Sequence, residues 1–349
     1  MKILFLSHAF SPAIGGIEAS SELLAGAFVR GGHEVCLITM TPAETLGSPY
    51  QVIRKPSTSE LFKHHAWADI VYENNPCIRL GWPKLLFGKP SVIALHTWIS
   101  RVDGTVSLKD KLKMSWVAQA NQAIAVSKAI QERCSPNATI IGNSYDEQLF
   151  NIRSVKRKKD FVFLGRLVSD KGVDLAIRTF NQLINDSSLH ELEDTTLTII
   201  GDGPDRKRLE QYVAHLPHPG RIRFTGSLQG EELVLELNRH SFQFIPSVWE
   251  EPFGIVALEG IACGLIPIAS NGGGLPDAVG KAGVIFERGR IESLISVTRR
   301  LVQNTAQQAQ LLAAAPEHLN LYNTESITQQ FLAVIDSVAQ TRYYSSQPL

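Results

Sequence analysis

Lys2-Ile-Leu-Phe-Leu-Ser7, Phe10-Ser-Pro-Ala-Ile-Gly-Gly16, Ile17 through Arg30, Gly31-Gly32 and His33-Glu-Val-Cys-Leu-Ile-Thr39 follow one another at the start of the chain. The outer two are short apolar runs, the pattern of strands buried on both faces. Between them Leu23, Leu24, Ala27 and Phe28 recur at helical spacing, and the glycine pair stops the helix. Strand, loop, helix, turn and strand make a βαβ unit, which implies a parallel sheet.

Working outward, short apolar runs recur at 70–72, 91–95, 122–125 and 139–141, with helix-like segments between several of them. Residues 151–160 break this rhythm: Arg153, Lys156, Arg157, Lys158 and Lys159 fall in ten positions with few apolar side chains. A basic run of that kind reads as a solvated linker and a domain boundary. The alternation then restarts, with strands at 161–164, 196–200, 222–225, 241–246 and 266–270. Helices lie at 173–184, 204–215, 231–239 and 255–263. The expected fold is therefore α/β, with two doubly wound, Rossmann-like parallel-sheet domains at 1–150 and 161–322 facing across a cleft. The tail, 323–341, is an amphipathic helix (Ile327, Phe331, Ile335, Val338) with Asn323 or Thr324 as N-cap.

The totals agree. A chain of 349 residues favours two cores over one. With 44% hydrophobic and 19% charged residues it has the composition of a soluble globular protein. A formal net charge of zero gives a nucleic-acid partner no electrostatic support. Cys36, Cys77, Cys134 and Cys263 are far apart with no C-x-x-C, which argues against a metal site or disulfide framework and for a reducing compartment. The first apolar run is too short for a signal peptide, and Pro12 and Gly15-Gly16 follow it. No apolar stretch approaches the ~20 residues of a spanning helix. A cytoplasmic protein is expected, with contact at the inner face of a membrane left open.

The chemistry concentrates in Ser247-Val-Trp-Glu-Glu-Pro-Phe-Gly-Ile-Val-Ala-Leu-Glu259, followed by Gly272-Gly-Gly-Leu-Pro-Asp277. Glu251 and Glu259 lie eight positions apart, about 12 Å along a helix. Pro252-Phe253-Gly254 turns the chain into that helix, whose start offers free N–H groups and partial positive charge. Paired carboxylates at that separation suit two polyol rings at the two ends of one nucleotide sugar. The plain alternative is a surface helix with two solvated glutamates. Arg166 and Lys171, in Gly165-Arg-Leu-Val-Ser-Asp-Lys-Gly172, end a strand and open a helix, where two cations can grip a diphosphate; otherwise they are surface charges. Gly15 and Gly16 let backbone approach a phosphate, though the loop lacks the G-x-G-x-x-G fingerprint. His96 closes an apolar strand, and a lone histidine there is either a hydrogen-bonding group or a buried structural one.

Residues 247–277 resemble the C-terminal signature of retaining glycosyltransferases of the GT-B fold, glycosyltransferase family 4. That resemblance implies a nucleoside diphosphate sugar donor and a hydroxyl-bearing acceptor, which is a saccharide, a lipid-linked molecule or a small molecule. It implies that Arg166 and Lys171 clamp the diphosphate without a metal or other cofactor. Gly15 and Gly16 would abut the donor diphosphate and acceptor, and His96 would contact the donor sugar. Glu251 and the amides of Phe253, Gly254 and Ile255 would hold the transferred sugar, Glu259 the ribose, and Leu228 the base. The tail helix would cross back to the first domain. Attack would come from the front face, the leaving phosphate helping to take the acceptor's proton. UDP is favoured over GDP. Asn143-Ser-Tyr-Asp146 stands where the family usually has Asn-Gly-Val-Asp, and Pro276-Asp277 where Pro-Glu is common. A nucleotide-sugar epimerase on the same fold and a non-catalytic nucleotide-sugar-binding module remain as alternatives.

One more segment stands out. In residues 107–116 Leu108, Leu112 and Trp116 share a helical face beside Lys109 and Lys113. It reads either as a lipid-docking helix or as an ordinary surface helix.

Overall fold

The computed structural model describes residues 1–12, 16–43, 47–100 and 105–345. They form two compact units, Met1–Ser144 joined by the chain from Thr324 onward, and Tyr145–Asn323.

The first unit holds strands β1 (Lys2–Ser7), β2 (Glu34–Thr39), β3 (Gln51–Arg54), β4 (Ile70–Asn74), β5 (Ser91–Leu95), β6 (Gln122–Ala125) and β7 (Thr139–Ile140). Their order is β3-β2-β1-β4-β5-β6-β7, and every pairing is parallel. Parallel strands need crossover helices, and these cover both faces. That is why β4 and β5 are buried along their whole length and β1 in all but its first residue, rather than alternating. Phe5, Phe28 and Tyr72 pack ring on ring, with Phe5 and Tyr72 centroids 4.8 Å apart. The helix Thr324–Ser345 belongs to this unit. It buries Ile327, Phe331 and Ile335, and the Phe331 ring lies 6.0 Å from Tyr72.

The second unit holds β8 (Phe161–Leu164), β9 (Leu197–Ile200), β10 (Ile222–Gly226), β11 (Phe242–Ile245), β12 (Ile266–Ser270) and β13 (Val284–Phe286). The order is β10-β9-β8-β11-β12-β13, again all parallel. Four phenylalanines of β8 and β11 fill its centre; Phe161 and Phe244 stack at 4.8 Å and 9°.

Residues 151–160 lie on this second unit and are not evenly solvated. The Arg157 guanidinium donates to the carbonyls of His240, Cys263 (2.6 Å) and Gly264 (3.2 Å), and Arg153 pairs with Glu231 at 2.9 Å. Arg157 thereby caps the C-terminus of the helix Ile255–Ala262, where free carbonyls favour a cation.

Each sheet reverses its strand order once, between β1 and β4 and between β8 and β11. Open α/β sheets bind ligands outside the carboxyl ends of the strands at such a point.

Candidate active site

At the switch point of the second unit, β8 runs into Gly165-Arg166 and β11 into Pro246-Ser247. The two loops are sewn together by backbone. Val248 and Trp249 both donate to the Asp170 carbonyl, at 2.9 and 3.2 Å. Gly172 has φ +68°, and a Cβ there would stand 2.1 Å from the Pro246 carbonyl oxygen. Only glycine permits that approach.

Lys171 Nζ is consequently held 2.5 Å from Glu251 Oε1 and 5.8 Å from the Trp249 ring centre. The same Glu251 oxygen accepts from Ser247 Oγ at 2.7 Å, and Ser270 Oγ holds the Ser247 carbonyl at 2.8 Å. The Glu251 carbonyl accepts from Gly274 N at 2.7 Å, tying the Gly-rich turn to this loop. Arg166 is exposed, and among the described residues no carboxylate pairs with it.

The helix Ile255–Ala262 starts after Gly254, in left-handed backbone at φ +111°. A Cβ on Gly254 would meet Leu275 at 2.5 Å. Among the described residues nothing accepts from the amides of Phe253, Gly254 or Ile255. Phe253 itself is buried, its ring 5.4 Å from Tyr322. Glu259 follows on the same helix. Burial first, and the nearby Asp146 carboxylate second, push its pKa up to about 7. Leu228 follows β10, at the edge of the sheet, where Gly201 N donates to the Gly226 carbonyl at 2.8 Å.

The switch point of the first unit is clamped by side chains. Asn74 Nδ2 donates to Ser21 Oγ at 2.6 Å, and Ser21 Oγ lies 3.0 Å from Ser7 Oγ. Gly16 is the first residue of the helix Gly16–Arg30; Gly15 lies outside the described residues. His96, beyond β5, is 5% exposed. Its backbone N donates to Asn75 Oδ1 at 2.8 Å, and Nδ1 lies 2.8 Å from Asn143 Oδ1. Burial lowers its pKa to about 4, the Asn143 bond opposing only in part.

So Lys171 and Glu251 are in direct contact beyond the carboxyl ends of β8 and β11, Arg166 follows β8, and Phe253, Gly254 and Ile255 follow Glu251 into its helix, with Glu259 further along that helix and Leu228 at the sheet edge. His96 and Gly16 belong to the other unit. Ser247, Trp249 and Asn75 were given no role from sequence, and Asn143 was quoted only in a comparison of motifs. Ser247 stood inside the quoted motif, four residues before Glu251, and that spacing was the available signal. Among the described residues no three of His, Cys, Asp and Glu converge as metal ligands.

The helix Leu108–Ala118 starts from a capping box between Ser107 and Asp110. Leu108 is 84% and Leu112 60% exposed, and Lys109, Lys111 and Lys113 are exposed too. Trp116 departs from the expected shared face: it is 6% exposed and donates Nε1 to Glu73 Oε2 at 2.9 Å. Glu73 also binds Lys84 Nζ at 2.6 Å, so the C-terminal end of this helix is anchored while its leucines face solvent. No helix of the described residues is long and apolar enough to cross a membrane.

Residues 144–318 match the family model described as glycosyl transferases group 1. The chain is similar to glycogen synthase of Mycobacterium tuberculosis, 25% identical over 384 residues, covering 91% of this chain and 90% of that protein. It is also similar to 2-deoxystreptamine glucosyltransferase of Streptomyces kanamyceticus, 27% identical over 236 residues, covering 66% and 59%. Among solved structures, Anabaena HepE in complex with UDP superposes with a TM-score of 0.82 at 20% identity, covering 97% of this chain and 100% of that one.

Proposed function

The chain belongs to the glycosyl transferases group 1 family, with the two Rossmann-like units of the GT-B fold, and from that premise we propose that it transfers a sugar from a nucleoside diphosphate sugar to an acceptor hydroxyl with retention at the anomeric carbon. One observation carries the reading. At the carboxyl ends of β8 and β11 the Lys171–Glu251 pair stands just before three helix-start amides that nothing in the described residues accepts from, and Arg166 follows β8. Few ligands other than a diphosphate joined to a polyol need all of these.

In this assignment Arg166 and Lys171 hold the two phosphates and stabilise the charge that grows on the leaving nucleoside diphosphate. No metal is assigned a part. Glu251, fixed by Ser247, accepts from hydroxyls of the transferred sugar, and the amides of Phe253, Gly254 and Ile255 bind the sugar or the outer phosphate. Glu259 receives the ribose hydroxyls and Leu228 borders the base. Gly15 and Gly16 flank the diphosphate, and His96 meets the sugar. The transition state is oxocarbenium-like. No enzymic nucleophile is assigned, so attack is from the front face. UDP is the favoured nucleotide, in keeping with the UDP bound by the similar HepE structure. Leu108 and Leu112 amid Lys109, Lys111 and Lys113 support contact with an anionic lipid surface, where a lipid-linked acceptor would lie.

The test is a thermal-shift panel of UDP- and GDP-sugars run with and without EDTA. Ligand binding to the folded state raises apparent stability by mass action. The reading expects UDP-sugars to give the largest shifts, unchanged by EDTA. No shift with any nucleotide sugar would contradict it.

A further inference from the structure

Resting on the donor reading, we infer that Tyr322 is a positioning residue: it fixes the loop from Glu251 to Ile255 in the shape that receives the outer phosphate and the transferred sugar. All the contacts involved lie inside the unit Tyr145–Asn323.

The loop has few handles of its own. Pro252 brings no N–H and Gly254 no side chain, so the Phe253 ring is the main grip on its middle. That ring is 2% exposed and lies 5.4 Å from the Tyr322 ring, tilted by 51°, a favourable aromatic pairing. Phe253 also carries the first of the three amides that nothing in the described residues accepts from. Ring and amide share one residue, so holding the ring sets where the amide points.

Tyr322 is itself fixed from several sides. It directly follows the helix Thr305–Leu321. Its hydroxyl donates to the Asp277 carbonyl at 3.2 Å, in the helix Leu275–Val279 behind the Gly-rich turn. His318 stands beside it, ring centres 5.1 Å apart, and donates Nε2 to the Ala278 carbonyl at 2.7 Å. Carbonyls in the last turn of a helix have no partner within it, so both bonds meet a real need. The Tyr322 carbonyl accepts from Tyr145 N at 3.3 Å. The Gly-rich turn holds Glu251 in turn, through Gly274 N, and Leu275 fills the space a side chain at 254 would take. Tyr322 thus grips the loop twice, at the Phe253 ring and, through Asp277, at the turn that carries Leu275.

Tyr322 acts through Phe253 and Asp277 and is assigned no contact with the ligand. The effect of loosening it is therefore selective. This loop is assigned the outer phosphate and the sugar, whereas the ribose and base are assigned to Glu259 and Leu228. A displaced loop should cost a nucleoside diphosphate affinity and spare a nucleoside monophosphate.

Calorimetric titration with UDP and with UMP tests this in Tyr322→Leu and Tyr322→Phe. The wild type should bind UDP more tightly than UMP. Tyr322→Leu should bind UDP about tenfold more weakly, with its UMP affinity unchanged. Tyr322→Phe keeps the ring against Phe253 and should stay within about twofold of the wild type for both. A role in packing alone would lower stability and weaken both ligands together. Parallel loss of UDP and UMP in Tyr322→Leu, or loss of neither, overturns the inference, as does a Tyr322→Phe no better than Tyr322→Leu. Should Tyr322→Leu fail to fold, Phe253→Leu breaks the same ring pair from the loop side and carries the same prediction. If the wild type binds no UDP, the donor reading fails and this inference falls with it. An unchanged UDP-to-UMP ratio in a variant of a wild type that does bind UDP overturns this inference alone.

Discussion

Lys171 Nζ and Glu251 Oε1 stand 2.5 Å apart, joining a cation assigned to the diphosphate with a carboxylate assigned to the sugar. The pair is partly buried, the Lys171 side chain 30% and the Glu251 side chain 11% exposed. Its members act as one unit, so removing either disturbs the other. Lys171→Ala should lower kcat/KM by about 10²–10³-fold, the usual cost of losing one pre-placed group that stabilises transition-state charge. In urea denaturation, Lys171→Ala and Glu251→Gln should be non-additive, with a coupling of about 1 kcal/mol. Additive effects would mean the ion pair contributes nothing.

Glu259 gives a pH signature. Its folded pKa, about 7, lies above the 4.5 of an exposed glutamate, so between these values the folded chain holds a proton that the unfolded chain has lost. Stability therefore falls as pH rises through that window, and the full loss is present above about 7. Glu259→Gln should be more stable than wild type at pH 8, with the gap closing as pH falls toward 4.5. Glu259 keeps part of its surface open, so screening reduces the gap. Denaturant midpoints at pH 5 and 8 measure it; equal gaps at both would refute the assignment.

Gly172 is the tightest joint between the loops carrying Arg166 and Glu251. Gly172→Ala combines a positive φ with a Cβ placed against backbone, and neither can relax cheaply. A destabilisation of more than about 1 kcal/mol is expected, along with weaker UDP binding, because the Lys171 loop must move. A variant with wild-type stability would show that the Val248–Asp170 stitching is looser than described.

The leucine-lysine face should register on vesicles. Cosedimentation with phosphatidylserine vesicles is expected for the wild type and should weaken with added salt, since each lysine near the surface contributes about 1 kcal/mol. Leu108→Ser with Leu112→Ser should reduce it further without changing stability, because both side chains are exposed. No binding by the wild type would leave this an ordinary surface helix.

Much of the fold was legible because two-sided burial writes itself into sequence. Strand Ile266–Ser270 and helix Val173–Ile184 fall at the boundaries read from periodicity. Strand Gln51–Arg54 escaped because it is a short edge strand with polar ends, and Val284–Phe286 because it has three residues. Helix Thr305–Leu321 escaped because it buries only His318 and carries Pro316 inside it. Helix Ile291–Gln303 did show an apolar stripe, Leu294, Leu301 and Val302, and was readable. The site was legible as motifs but not as pairings. Lys171 and Glu251 are eighty positions apart, and they meet because β8 and β11 are neighbours. Asn143 and His96 are forty-seven apart, and nothing local announces their bond.

The central claim is that Arg166 and Lys171 grip a nucleoside diphosphate. Calorimetric titration of UDP into wild type and Arg166→Ala in EDTA tests it most directly. Arg166 is exposed and pairs with no carboxylate among the described residues, so its loss should leave the fold intact. The account predicts saturable UDP binding to the wild type and at least about tenfold weaker binding to the variant. Equal affinity in the two proteins, or wild-type binding only after a divalent cation is added, would contradict it.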